Sequence, residues 1–500
     1  MDKQSAKGTK VTREEGWNVG NEKFADINPE EWSITFHQES NSTSHEISEN
    51  ERKWLCSVEN SPAIGSSEKP KIQMVPKMHR ENEANRRCYE PLVVAIGPFH
   101  HEKSKLQPME KYKVLLANQF AKESSKEKSV SIDVLYTRVK DIVPSARDCY
   151  AKDSIKDYND EEFAKMMFLD GCFILQYIHC LVTRNYKQLQ MKSHDIAFIR
   201  RDLFLLENQL PFEVLHVLMS CRFKKDEGME MIKTFISSAH AKPLQSHGLI
   251  QNIKYLFLDF FGKISEREKP SLTQEETSKN QIPAHLLEIL RAQLIDPNAF
   301  SEGGCYLRGE WCSYRSAREL SRAGIHFECG KRRCLSDIKF NSFRFSALLT
   351  LPPITIDDST KSELLNLVAY EACPDTPDDF GVTSYLCLMD SLIDHAEDVK
   401  ELRSKGILLN FLGSDQEVAN LFNEIATDLV PNPHAFIDVK HKIENHYNNK
   451  GKVWVAEWKN THFDSPWTVV AFIAAIFLIL LQVADTVLAA FQVKFAEPPK

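Results

Sequence analysis

Three carboxylates stand where carboxylates are rare. Asp170 interrupts the apolar run MMFLDGCFIL, and Asp202 and Glu207 interrupt RDLFLLENQLPFEVL. An unpaired charge taken out of water is costly, so each group must be paired or kept for chemistry. Read as chemistry, they form an acid/base pair in a polar cleft between two helices. Read as structure, they join an ion-pair or capping network with Arg200, Arg201 or Asn208. No nucleophile or cofactor motif accompanies them, so the structural reading is preferred. Asp170, Asp202 and Glu207 stand as candidates for a polar cleft, with no catalytic role assigned.

Other constellations carry less. Cys305, Cys312, Cys329 and Cys334, with His326, have gaps of six, sixteen and four residues. Zinc sites are recognised by paired C-x2-C knuckles, which these spacings miss, so ordinary unligated thiols are the expectation. His100 and His101 follow Gly97-Pro98 and read as part of a turn, since adjacent side chains point different ways. The basic clusters Lys331-Arg332-Arg333 and Lys77 to Arg87 are short and mixed with acids, so solvated surface is expected over lipid or phosphate contact. The chain contains no GxxxxGK[ST], GxGxxG after a strand, HExxH, GxSxG or kinase signature set. A nucleotide hydrolase, dinucleotide enzyme, zinc protease or α/β-hydrolase lacks its minimal sequence support. No cofactor is expected.

The elements that must position these residues are mainly helical. Apolar periodicity predicts helices near 109–120, 131–143, 160–182, 196–220, 249–262, 282–294, 314–323, 361–372, 384–404, 414–427 and 434–458. Phe163, Met167, Cys172 and Leu175 share a broad apolar face in 160–182, which marks a core helix. Pro211 should kink or split 196–220. PLVVAIGP (91–98) reads as a short strand closed by a Gly-Pro turn. SDIKFNSFRFSALLTLPPITID (336–357) alternates and is the best hairpin candidate. Residues 263–281 read as a polar linker, and 1–75, rich in Glu, Ser, Asn and Lys, as a disordered leader.

Composition bounds the rest. The chain has 500 residues, 62 basic and 70 acidic, for a net charge of −8. That balance argues against a surface built to grip nucleic acid. Twelve cysteines are too sparse for a disulfide scaffold. The N-terminus shows neither the apolar run of a signal peptide nor an acid-poor transit peptide. A mean hydropathy of −0.36 conceals one very apolar tail, from Trp467 to Phe491. At 1.5 Å per residue this tail spans the roughly 30 Å of a bilayer core. Lys450, Lys452 and Lys459 precede it, while Lys494 and Lys500 follow, a weak excess that favours a cytosolic N-terminal body. The expected layout is a leader (1–75), a body (88–460), a single transmembrane helix (467–491) and a short tail (492–500). That makes a tail-anchored, single-pass protein of the plasma membrane or an endomembrane.

An ordered series of segments also carries a family resemblance. VVAIGPFHH (93–101), MEKYK (109–113), MMFLDGCFIL (166–175) and RDLFLLENQLPFEVL (201–215) come first. SARELSRAGIHF (316–327), SDIKF (336–340), LNLVAYEAC (365–373), the 382–410 stretch and SPWTVVAFIAA (465–475) follow. In this order they resemble the plant DUF247 (UPF0481) family, from about residue 88 to 491. Glu371-Ala372 departs from the Glu-Gln usual there. The resemblance implies a helical cytosolic body with a small β element, one C-terminal transmembrane helix and no established catalytic residue. Some grass members are linked to self-incompatibility loci and others to growth or defence, so the resemblance implies a recognition or signalling component with protein partners. The expectation is a non-enzymatic, membrane-tethered interaction protein. The alternatives are an enzyme of unrecognised class using the three carboxylates and, less favoured, a lipid-binding role for basic residues near the membrane.

Overall fold

The computed structural model describes residues 48–59, 72–151, 154–239, 282–296, 315–344, 346–454, 461 and 466–495. The expected helix 249–262, the linker 263–281, Cys305 and Cys312 lie outside them. The chain divides into two units, Met1–Ser66 and Ser67–Lys500. The first contributes one described element, α1 (Glu49–Glu59), an exposed helix. Its start is a capping box: Glu51 N–H donates to Ser48 Oγ (3.2 Å) and Ser48 N–H to the Glu51 carboxylate (2.7 Å). The expected leader therefore holds a helix. From its end, Ile72 and Val75 are buried in the core of the second unit.

The second unit is mainly helical. Its N-terminal part contains α2 (Glu110–Lys128), α3 (Ile132–Asp141), α4 (Asp160–Val182), α5 (Ser193–Asp202), α6 (Phe212–Arg222) and α7 (Glu227–Ala239). α8 (Leu286–Leu294) and α9 (Ala317–Arg322) precede the sheets. Helix α4 is the core element and starts on a full capping box between Asn159 and Glu162. It is buried on nearly every side from Phe163 to Cys180, as a helix apolar all round must be in water. Helices α2, α3, α6 and α7 pack against it.

β1 (Ile325–Cys329) runs parallel to β3 (Ala347–Leu351), and β2 (Lys339–Ser342) pairs antiparallel with β3. The β2–β3 pair is the expected hairpin, and its tip is closed by Phe343 N–H donating to Ser346 O at 2.8 Å. Pro352-Pro353 ends β3, because proline cannot donate to a ladder. β4 (Ile354–Ile356) then leaves to pair in parallel with β5 (Leu408–Asn410). Helices α10 (Thr360–Glu371), α11 (Gly381–Leu392), α12 (Ala396–Ser404), α13 (Asp415–Ala426) and α14 (Ile437–Asn448) complete the body.

Three expectations are corrected. Residues 91–98 form no strand; their backbone groups bond to side chains instead. The 196–220 helix is split, as expected at Pro211, but the break is wider than a kink: a buried loop over 203–211 separates α5 from α6. The 384–404 helix breaks at Ile393, whose extended backbone precedes the His395 N-cap of α12. A buried Asp398 carboxylate accepts the N–H groups of Asp394 and His395, which fixes that break.

Helix α15 (Pro466–Phe495) is the apolar C-terminal helix and a candidate membrane span. Both α4 and the Val470–Ala489 part of α15 are long and apolar enough to cross a bilayer. α4 is mostly buried inside the body, whereas no residue of Val470–Ala489 is buried.

Candidate functional site

The segment Pro91–Pro98 bends at Leu92-Val93 and again at Gly97-Pro98 and pairs with no strand among the described residues, so its polar groups need other partners. Asp202 supplies most of them. Leu92 N–H approaches both Asp202 oxygens at 3.0 Å, and the Val93 and Val94 N–H groups donate to Oδ2 at 2.8 and 3.1 Å. The chain places Asp202 there because α5 ends on it and the loop turns inward. Arg201 is bonded to Asp202 Oδ1 at 3.0 Å and donates to the carbonyls of Glu90 and Arg87. Asn208, from the same loop, accepts from Ile96 N–H (2.7 Å) and donates to Val94 O (3.1 Å), reading both edges of the segment.

The turn at Gly97 is held by α4. Gly97 N–H donates to Asp170 Oδ2 at 2.8 Å, while Lys113 of α2 meets Oδ1 at 2.7 Å. Gly97 has φ +67°, and a Cβ there would lie 2.8 Å from the Tyr150 hydroxyl and 2.9 Å from Gln209 O. Only glycine fits both the left-handed backbone and the close approach. Lys113 is completely buried; burial opposes its charge, but Asp170 and Glu110 outweigh that and raise its pKa above the ordinary lysine value.

Glu207 fixes a second strand of chain. Its Oε1 accepts Val75 N–H at 2.9 Å, its Oε2 is bonded by Arg80, and His100 Nε2 lies 3.4 Å away. Burial opposes the charge, yet His100, the Val75 N–H and Arg80 together hold Glu207 below the ordinary carboxylate range. For Asp202 burial wins: it pushes the carboxyl above its ordinary range against the pull of the three N–H groups and Arg201.

Asp170, Asp202 and Glu207 are thus brought to one region, each bonded to the backbone of a segment distant in sequence. None lines either of two clefts on the surface of the described residues. One, of approximately 470 Å³, is formed by residues including Met74, Phe99, Glu102, Asp157 and Tyr158. The other lies between α3 and the start of α4, at Tyr136, Lys140, Asp160 and Phe168. A general base must reach its substrate's proton, and these three reach amides, Lys113, Arg80 and Arg201 instead.

The remaining candidates separate. His100 faces Glu207, while His101 packs edge-on to Tyr158. Cys329 and Cys334 lie beside Gly330 O and Ser336 Oγ. Among the described residues no group of three or more His, Cys, Asp or Glu is placed to hold a metal ion.

A further buried carboxylate escaped the sequence reading. Glu371, at the end of α10, accepts the N–H groups of Val382 and Thr383 (both 2.9 Å) and the Thr383 hydroxyl (2.8 Å) at the start of α11. Arg291 of α8 donates to it at 2.9 Å. The signal was present, since Glu371 interrupts LNLVAYEAC as Asp170 interrupts its own run. Arg222, enclosed by Phe120, Phe223, Gln176 and Glu123, was also missed.

No solved structure matches the chain. It is 28% identical over 431 residues to the UPF0481 protein At3g47200 of Arabidopsis thaliana, covering 81% of this chain and 83% of that one. It is 23% identical over 462 residues to a second UPF0481 protein of that plant, At3g02645, covering 79% and 85%. The segments that bind the carboxylates fall inside a family match that runs from residue 72 to 481, so the chain belongs to DUF247, a plant protein family of unknown function.

Proposed function

We propose that this protein is a membrane-tethered interaction component of a plant cell, with α15 spanning the bilayer and the helical body on the cytosolic side. The observation that carries the reading is the Val470–Ala489 stretch, a long apolar helix with no residue buried against the body. Twenty such residues left in water would be strongly unfavourable, and a bilayer removes them from it. The lysines before the span support the cytosolic side for the body. The body acts by binding rather than by chemistry: its buried carboxylates are committed to the fold. Tethering raises the effective concentration of its surface toward partners on the same membrane.

Fractionation tests the anchor. The full chain should stay with membranes through alkaline carbonate extraction, and a chain ending at residue 464 should be soluble. Membrane retention of the truncated chain would refute the span. Protease added to sealed vesicles should digest the body, and protection would reverse the orientation. Proximity labelling from the body should recover reproducible membrane-associated proteins. Their absence across repeats would count against the interaction role.

A further inference from the structure

The hairpin tip of the body and the chain that leads into α15 are joined. α14 packs beside β2, with His446 edge-on to Phe340 and its Nε2 3.3 Å from Ala323 O. A helical turn at 450–454 follows, and Lys452 Nζ donates to Ser342 Oγ (3.0 Å) and Phe343 O (3.1 Å), the end of β2 and its turn. The tip and the turn therefore form one surface. Two large rings project from it into solvent: Phe343 is 53% exposed and Trp454 66% exposed. Arg344, Lys450 and Lys452 give the surface its positive charge, while Lys339 is paired with Asp337 at 2.8 Å. Trp454 precedes Pro466 by twelve residues, which at full extension reach about 40 Å.

We propose that this surface, Phe343 and Arg344 at the tip with Lys450 and Trp454 beside it, rests on the headgroup layer of the bilayer that α15 enters, preferring anionic lipid. The inference rests on the membrane reading of α15. Aromatic rings with an apolar body favour the interface, and basic side chains around them complement anionic headgroups. Each basic residue brought to an anionic surface raises occupancy by roughly fivefold. The Lys452 bonds make the contact directional, because they hold the tip against the segment that enters the membrane. The other basic cluster, Lys331-Arg332-Arg333, leaves β1 at the opposite end of the sheet, where Gly330 N–H donates to Leu351 O at 2.7 Å. Five residues of β3 separate the two ends, about 15 Å of strand.

The test uses the full chain reconstituted in vesicles of phosphatidylcholine, with or without phosphatidylserine. A photoreactive p-benzoylphenylalanine replaces Phe343 in one variant and Arg332 in another, both exposed positions. Position 343 should yield several-fold more lipid adduct than 332, and phosphatidylserine should raise the 343 adduct several-fold. Equal adducts at the two positions, or adducts from 343 to a second copy of the chain, would overturn the proposal while a floating, carbonate-resistant chain kept the anchor. A chain that fails to float with the vesicles would remove the anchor and this inference together.

Discussion

Replacing Asp202 tests whether the 91–98 segment is held by that carboxylate. Asp202→Ala removes the acceptor for the Leu92, Val93 and Val94 N–H groups. Leu92 is near solvent and its amide can turn to water; the Val93 and Val94 amides are more enclosed. Arg201 keeps its two carbonyl partners. Two stranded amides at about 1–3 kcal/mol each give about 2–6 kcal/mol. Burial already raises the Asp202 pKa, so removing the buried charge returns part of this, and a loss of about 2–3 kcal/mol is expected. With roughly 2.1 cal/mol/K of unfolding entropy per residue, a body of about 380 residues moves its midpoint by about 1 °C per kcal/mol. The more local assay is hydrogen exchange on peptides covering 91–98, where protection should fall sharply in Asp202→Ala. Asp202→Asn keeps one acceptor oxygen without the charge and should lie between the parent and Asp202→Ala. Unchanged exchange at 91–98 in Asp202→Ala would refute the assignment outright.

Three further outcomes follow from the same geometry. Gly97→Ala should destabilise the body by at least about 1–2 kcal/mol from the left-handed backbone alone, more with the Tyr150 and Gln209 contacts; a thermal midpoint equal to the parent's would contradict the close approach. Glu207 is held below its ordinary range, so its contribution is present above the unfolded carboxyl pKa and is lost as pH falls through the lower folded value. Glu207→Gln should therefore flatten the acid side of a midpoint-against-pH curve below about pH 4.5, and parallel curves would show that the ion pairs contribute nothing there. Glu371→Gln should cost about 1–3 kcal/mol, because Arg291 keeps Asp379 as an ionic partner while an N–H at the start of α11 is stranded; protection of the 381–384 amides reports it.

The helical character, the β2–β3 hairpin and the core position of α4 were legible because each leaves a periodic signal: 3.6 in the helices, 2 in SDIKFNSFRF. What failed had no period. PLVVAIGP has the composition of a strand, and nothing local to it reveals that Asp202, 108 to 110 residues later, would take the place of a neighbouring strand. The 203–211 loop was read as helix because Leu and Phe dominate it. Its Asn208 and Gln209 each bond two carbonyls within reach, Val94 and Asp202 for Asn208, Leu203 and Leu205 for Gln209. Those side chains let a buried loop satisfy its own backbone, which no helical pattern encodes. The three carboxylates themselves were legible as anomalies. Their partners were not, because Lys113, Arg80 and the Val75 amide come from sites 57 to 132 residues away.

α4 and α15 look alike by length and composition, and their polar residues tell them apart. α4 carries Asp170 near its middle, a position intolerable in lipid without a partner. The partner exists: Lys113 and the Gly97 amide come from other parts of the fold to meet it. That carboxylate makes sense only if α4 is surrounded by protein. Within α15 the Thr486 hydroxyl bonds back to the helix itself, Oγ1 donating to Gln482 O at 2.7 Å, and the acidic Asp485 stands four residues from the end of Val470–Ala489, where a carboxylate reaches the headgroups. A helix in hydrocarbon must satisfy its polar groups internally, since lipid offers none. The first pattern belongs to a helix whose neighbours were specified residue by residue. In the second no residue of Val470–Ala489 is buried against the body, which supports the proposal that its neighbours are lipids.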